Sequence, residues 1–223
     1  ASSAASDVYK RQVEKQPLLP TENNVLKTFS IENEPVVELV NNREREYIFA
    51  DLPDIGYSTD IDTVMASSYQ VKKQLQQIVK IEQPITNTLL YKRILRIWNL
   101  TRVTTRLQVF IDSLLEDAYK DPLSGDTIIY WENKEKAKEC DFYRINSKRD
   151  ILDIPILEVM SAARYAIEQQ ISMPIEDLKR LTSQLLGFSR KGNNLDMVTE
   201  QTIQLLINKG IFSHANGMVS MNN

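Results

Sequence analysis

A mainly α-helical fold with small β-hairpins, built from a helix-turn-helix unit that occurs twice, is what the sequence predicts. Three observations carry this. Apolar residues recur at helical spacing in several separate stripes. The stripes fall into two sets of three, and each set is broken at the same place by a proline, Pro84 or Pro174. Residues of the second set also match the first at a constant displacement: Leu100 with Phe188, Arg102 with Arg190 and Leu107 with Leu195 each lie 88 positions apart. A displacement that holds across several helices is the mark of an internal duplication.

Taken in order, residues 1–12 (ASSAASDVYKRQ) carry no apolar pattern and no signal-peptide core. They resemble a translated sequencing-adapter artefact and are expected to be disordered; on that reading the chain is expected to be a fragment whose natural N-terminal neighbour is missing. Residues 13–62 read as an acidic linker or arm with short β-prone runs, Val36 to Val40 and Tyr47 to Leu52. Residues 63–131 form the first unit. Its helices are marked by Val71, Leu75 and Ile78, then Leu90, Ile94 and Trp98, then Val103, Leu107 and Ile111, and a β-prone run follows from Thr127 to Trp131. Residues 132–153 are a charged connector. Residues 154–223 form the second unit, with helices marked by Val159, Ala163 and Ile167, by Leu178 and Leu185, and by Leu195, Ile203 and Leu206. An Asn216-Gly217 turn then closes a hairpin. Three helices with a tight turn between the last two, followed by a hairpin, describe a winged-helix-like unit, here two in tandem.

Composition removes whole classes of chemistry. The chain of 223 residues has one histidine, one cysteine and six glycines. No phosphate-binding glycine loop, nucleophile elbow or zinc-protease helix occurs. His214 reads as a surface residue and Cys140 as a structural thiol. The acid pairs Asp60/Asp62 and Asp150/Asp153 read as turn and cap residues rather than metal ligands. Catalysis by this chain alone, a metal, a cofactor, a small-molecule substrate and a membrane partner are therefore not expected. The single cysteine fits a reducing, cytoplasmic setting.

The net charge of −3 conceals an asymmetry. Residues 13–62 carry a net −7 and residues 70–120 a net +5, whereas residues 158–210 are neutral. A basic segment of this kind marks a polyanion surface or a solvated helical face. The third helix of a winged helix faces the ligand, and its start in the first unit offers Arg102, Thr105, Arg106 and Gln108, with Lys92, Arg93 and Arg96 on the helix before it. The second unit offers Arg190, Lys191, Asn193 and Asn194 at the equivalent place. These side chains suit DNA phosphates and base edges. Arg102 and Arg190, recurring at equivalent positions, suit equally a role closing the helix-turn-helix. Trp98 and Trp131 read as core anchors.

Several stretches resemble a known family. Glu82-Gln83-Pro84-Ile85, the helix with Leu90, Ile94 and Trp98, and Leu100-Thr101-Arg102 resemble its first half. Ile154-Pro155-Ile156, Pro174 to Leu178 and Leu185 to Gly192 (LLGFSRKG) resemble its second half, so that the resemblance spans roughly residues 50–215. The family is the uncharacterised C-terminal domain of unknown function thirty-three-twenty, found in large bacterial superfamily-one helicase proteins that also carry a Vsr-like, restriction-endonuclease-like domain. Arg102-Val103-Thr104 departs from the glycine that the family tends to place after the arginine. The resemblance implies a setting of DNA processing, with parent helicase and nuclease domains as partners in cis, and supplies no catalytic residues. The expectation is a non-catalytic accessory module that engages DNA through the basic first unit. The alternative is a protein-docking module that packs on the nuclease domain or mediates assembly.

Overall fold

The computed structural model describes residues 41–124, 127–145 and 147–222. The tail of residues 1–12, the linker that follows and the run Val36 to Val40 lie outside the described residues. Helix dominates, with three small sheets. No helix among the described residues is long and apolar enough to cross a membrane.

The first unit grows from three apolar faces. A short helix α1 (Ile61–Ala66) leads into α2 (Ser68–Glu82), which buries Val71, Leu75, Ile78 and Val79. A two-residue strand β2 (Ile85–Thr86) follows, then α3 (Asn87–Ile97). The Thr86 hydroxyl caps α3 by accepting the Leu89 N–H at 3.2 Å. The chain leaves α3 through Trp98 and through Asn99, whose φ of 49° is the left-handed conformation that ends helices. Thr104 caps α4 (Thr105–Leu114) in the same manner as Thr86 caps α3. A hairpin of β3 (Tyr119–Ser124) and β4 (Thr127–Trp131) closes the unit, and β4 lies between β2 and β3. The predicted anchors Trp98 and Trp131 are both buried.

The second unit repeats this order. After α6 (Ile156–Glu168) come β6 (Met173–Pro174), α7 (Ile175–Leu185), α8 (Asn193–Asn208) and the hairpin β7 (Phe212–Ala215) and β8 (Met218–Met221). Strand order is again first, last, middle. The starts of β6, α7 and α8 lie 88 residues after those of β2, α3 and α4. Gly187, with φ 89°, stands 88 residues after Asn99 and serves the same helix end. The hairpin turns through Asn216 (φ 54°) and Gly217 (φ 75°), the paired positive φ values that an Asn-Gly turn supplies.

One cross-link is duplicated with changed chemistry. Asp112 on α4 accepts hydrogen bonds from the hydroxyls of Tyr91 on α3 and Tyr130 on β4, both at 2.8 Å. Glu200, 88 positions later on α8, instead receives the Lys179 ammonium of α7 at 3.2 Å.

The acidic arm and the charged connector meet between the units. The strand expected over Tyr47 to Leu52 is not formed. Strand β1 (Glu44–Glu46) pairs in parallel with β5 (Tyr143–Ile145), beyond the connector helix α5 (Lys134–Lys138). Residues 47–52 continue as an irregular strap, because the Ala50 N–H is taken by a side chain, the Glu82 carboxylate, at 3.0 Å. Glu82 also accepts the Tyr47 hydroxyl at 2.6 Å and pairs with Arg93 at 2.9 Å. A second buried carboxylate, Glu158 of α6, sits opposite. Arg149 grips both of its oxygens at 2.8 and 2.9 Å, and Arg144 donates to it at 2.5 Å. Arg144 further donates to the backbone carbonyls of Glu82, Gln83 and Pro84 at the end of α2. Both guanidiniums stack on the Tyr47 ring, at 4.6 and 4.2 Å from its centroid. One arginine thus ties α2 to α6.

This network carries a pH dependence. Burial alone raises the Glu158 pKa, but the Arg144 and Arg149 charges and hydrogen bonds outweigh it and hold the carboxyl below its ordinary value. The unfolded chain titrates near the ordinary value of about 4.3. The pair's stabilisation is therefore complete above that pH and is lost as pH falls through the lower folded value. Urea midpoints are expected to decline below about pH 4.3, and the Glu158→Gln variant to show a shallower decline over the same range.

Candidate nucleic-acid interface

The residues proposed for DNA contact in the first unit divide by environment. Two are already paired with carboxylates, Arg93 inside the fold and Lys92 at its surface. The Arg93 side chain is only 11 % exposed, pairs with Glu82 and donates to the Ala50 carbonyl at 2.6 Å. Lys92 reaches both oxygens of the buried Asp153 carboxylate at 2.7 Å, linking α3 to the segment before α6. The others lie around the α3–α4 turn. Arg96, in the last turn of α3, and Arg102, in the turn itself, are exposed, and neither has a carboxylate partner among the described residues. Thr105 and Arg106 open α4 and are exposed, and Gln108 is half-buried.

Arg102 and Arg190 do not close the turns that hold them: each is exposed and has no bonded partner among the described residues. What does lie close to the turn is α1, which sequence spacing did not reveal. Asp60 caps α1 by accepting the Thr63 N–H at 2.8 Å, and Asp62 pairs with Arg106 at 2.7 Å. Both ends of that pair are open to solvent, so it is a weak tether. Along the outward face of α4, Thr105, Arg106, Val109 and Ser113 line a shallow groove with Met65 of α1. The only local signal for it was an apolar residue, Val109, at a position on the polar side of the helix.

The second unit is built differently at the same place. Arg190 and Lys191 border a cleft of about 240 Å³ between α7, the turn and α8, floored by Phe188 and Leu195. Asn193 and Asn194 lie exposed at the start of α8, on its other side. Lys179 lines the cleft too, but its ammonium is held by three carboxylates, Asp196 at 2.7 Å, Glu200 at 3.2 Å and Glu176 at 3.3 Å. Burial lowers the Lys179 pKa, yet these three hydrogen-bonded acids reverse that and raise it, so the group stays an ammonium whose charge is already balanced. Gly192 stands where Thr104 caps α4 and supplies no side-chain cap to α8.

The remaining chemistry-bearing residues have structural surroundings. Asp150 caps the single turn Ile151–Asp153 through the Leu152 N–H at 2.9 Å. Burial pushes the Cys140 thiol up to about 12, which keeps it protonated and unreactive. His214 is exposed on β7.

The segment that holds the α3–α4 turn is also the one that known sequences resemble. A family described as a protein of unknown function (DUF3320) matches residues 66–109. The DUF3320 match takes in α2, β2, α3, the turn with Arg102 and the first half of α4. It is shorter than the span of the resemblance read from the residues, and it leaves the Leu185 to Gly192 stretch outside. No curated protein and no solved structure matches the chain.

Proposed function

We propose that the chain is a non-catalytic accessory module that engages DNA through the α3–α4 turn of its first unit. The observation that carries this is the pair of exposed arginines, Arg96 and Arg102, left without carboxylate partners around the turn, whereas the nearby Lys92, Arg93 and Arg106 are each paired with an acid. The element order of each unit, with its first strand paired to its last, supports a winged-helix reading. In that reading α4 is the helix presented to the duplex. The resemblance to helicase-associated C-terminal domains supplies a setting in which the module positions DNA, in the cytoplasm, for parent helicase and nuclease domains.

Fluorescence anisotropy of the chain with labelled duplex, at low and moderate salt, tests the proposal. Salt-dependent binding is expected. Replacing Arg96 and Arg102 with alanine is expected to weaken it for every sequence and to lower the salt slope by about one for each phosphate that is no longer neutralised. Absence of binding at low salt overturns the proposal.

A second reading has its own observation. The cleft beside Phe188 and Leu195, where apolar side chains sit among both cations and the acids Glu176 and Asp196, suits a protein segment better than a polyanion. On that reading the second unit docks on the parent's nuclease domain while the first engages DNA.

A further inference from the structure

We propose that Val109, with Thr105 beside it, is the point at which α4 senses thymine methyl groups in the major groove. This inference rests on the DNA reading above and extends it from phosphate contact to base recognition.

Thr105, Arg106, Val109 and Ser113 follow one another at intervals that bring them to one face of α4. Val109 is 63 % exposed, so it contributes little to the core that Leu107 and Ile111 build from the opposite face. A β-branched residue at a solvated helix position is also a weak helix former, so neither burial nor propensity accounts for it. It is not isolated. Met65 and Phe110 join it, with the Thr105 side chain, around a groove of about 360 Å³ open to solvent.

The occupant follows from what surrounds that apolar strip. Arg106 lines the same groove, and Arg102 precedes the helix by less than one turn. Apolar side chains beside a guanidinium match a surface that offers methyl groups beside phosphates, which is the thymine-bearing major groove. The facing acid, Asp62, is tied to Arg106 only by a solvent-exposed pair, which a phosphate can replace.

The test compares two probes with the intact chain: an alternating A·T duplex, and the same duplex with every thymine replaced by deoxyuridine, which lacks only the C5 methyl. Tighter binding to the thymine duplex is expected, by about fourfold for each methyl buried. The Thr105→Ser/Val109→Ser double variant, altered at two exposed positions and lacking both sets of methyl groups, is expected to bind both duplexes alike with an unchanged salt slope. Equal binding of the two duplexes by the unaltered chain overturns the inference and leaves the DNA reading standing. A thymine preference that survives in the double variant overturns the assignment to Val109 and Thr105. No binding to either duplex overturns the DNA reading itself, and the inference with it.

Discussion

Replacing Glu158 with alanine is expected to lower folding stability by about 3–5 kcal/mol. The carboxylate is wholly buried, and its oxygens accept from the guanidiniums of Arg144 and Arg149 and from the Arg144 N–H. Its removal strands two buried cations. They cannot reach water without opening the junction, and stacking on Tyr47 offsets only a fraction of what they forfeit. Urea denaturation followed by the fluorescence of the buried Trp98 and Trp131 gives the cost directly. Glu158→Gln keeps the shape and several hydrogen bonds but not the charge, and is expected to fall between alanine and the unaltered chain. A cost under about 1 kcal/mol for alanine contradicts the account, since that is the range of exposed pairs. Replacing Glu158, Arg144 and Arg149 together by apolar residues of similar volume is expected to hurt less than Glu158→Ala alone, because no charge is then left unpaired.

Glu82→Ala is expected to have a comparable effect, about 3 kcal/mol or more, but with a different local signature. Glu82 holds three groups from two parts of the chain: the Tyr47 hydroxyl, the Ala50 N–H and the Arg93 guanidinium. The first two belong to the strap. Amide exchange at Ala50 and its neighbours is therefore expected to accelerate well beyond the change in global stability, while amides within α8 follow the global change. Uniform acceleration throughout the chain contradicts the role given to Glu82.

Arg93 marks the boundary of what local sequence reveals. Lys92, Arg93 and Arg96 cluster on one helix, and by spacing they form a single basic face. The carboxylate that claims Arg93 lies on another helix, across a proline, and its burial is set by the strap folding over it. Nothing in a periodic pattern reports that. Elements whose cause is local were legible: the apolar stripes of α2, α3, α4, α6, α7 and α8, the strand from Thr127 to Trp131 and the Asn216-Gly217 turn. Elements whose cause is distant were not. The parallel pairing of Glu44–Glu46 with Tyr143–Ile145 has no local signature, since three charged residues carry the first strand. The candidate surface was legible as residue chemistry, through Arg96 and Arg102, and was not legible as topography, because α1 and the groove at Val109 arise from packing.

The long reach of the strap has a consequence for how the chain is made. Arg43 bonds to Glu168, 125 residues later, and Asn41 to Tyr143, 102 residues later. At about 5–20 residues per second, a ribosome that has just released the strap delivers its last partner only after roughly 6–25 seconds. During that interval the Tyr47 ring lacks the Arg144 and Arg149 guanidiniums that later stack on it. The first unit can assemble on its own helices while it waits. Tyr47 and Ala50 can settle on Glu82 as soon as α2 has emerged, but Glu44–Glu46 and Arg43 wait for β5 and α6, so the strap is fixed first at its far end and last at its beginning.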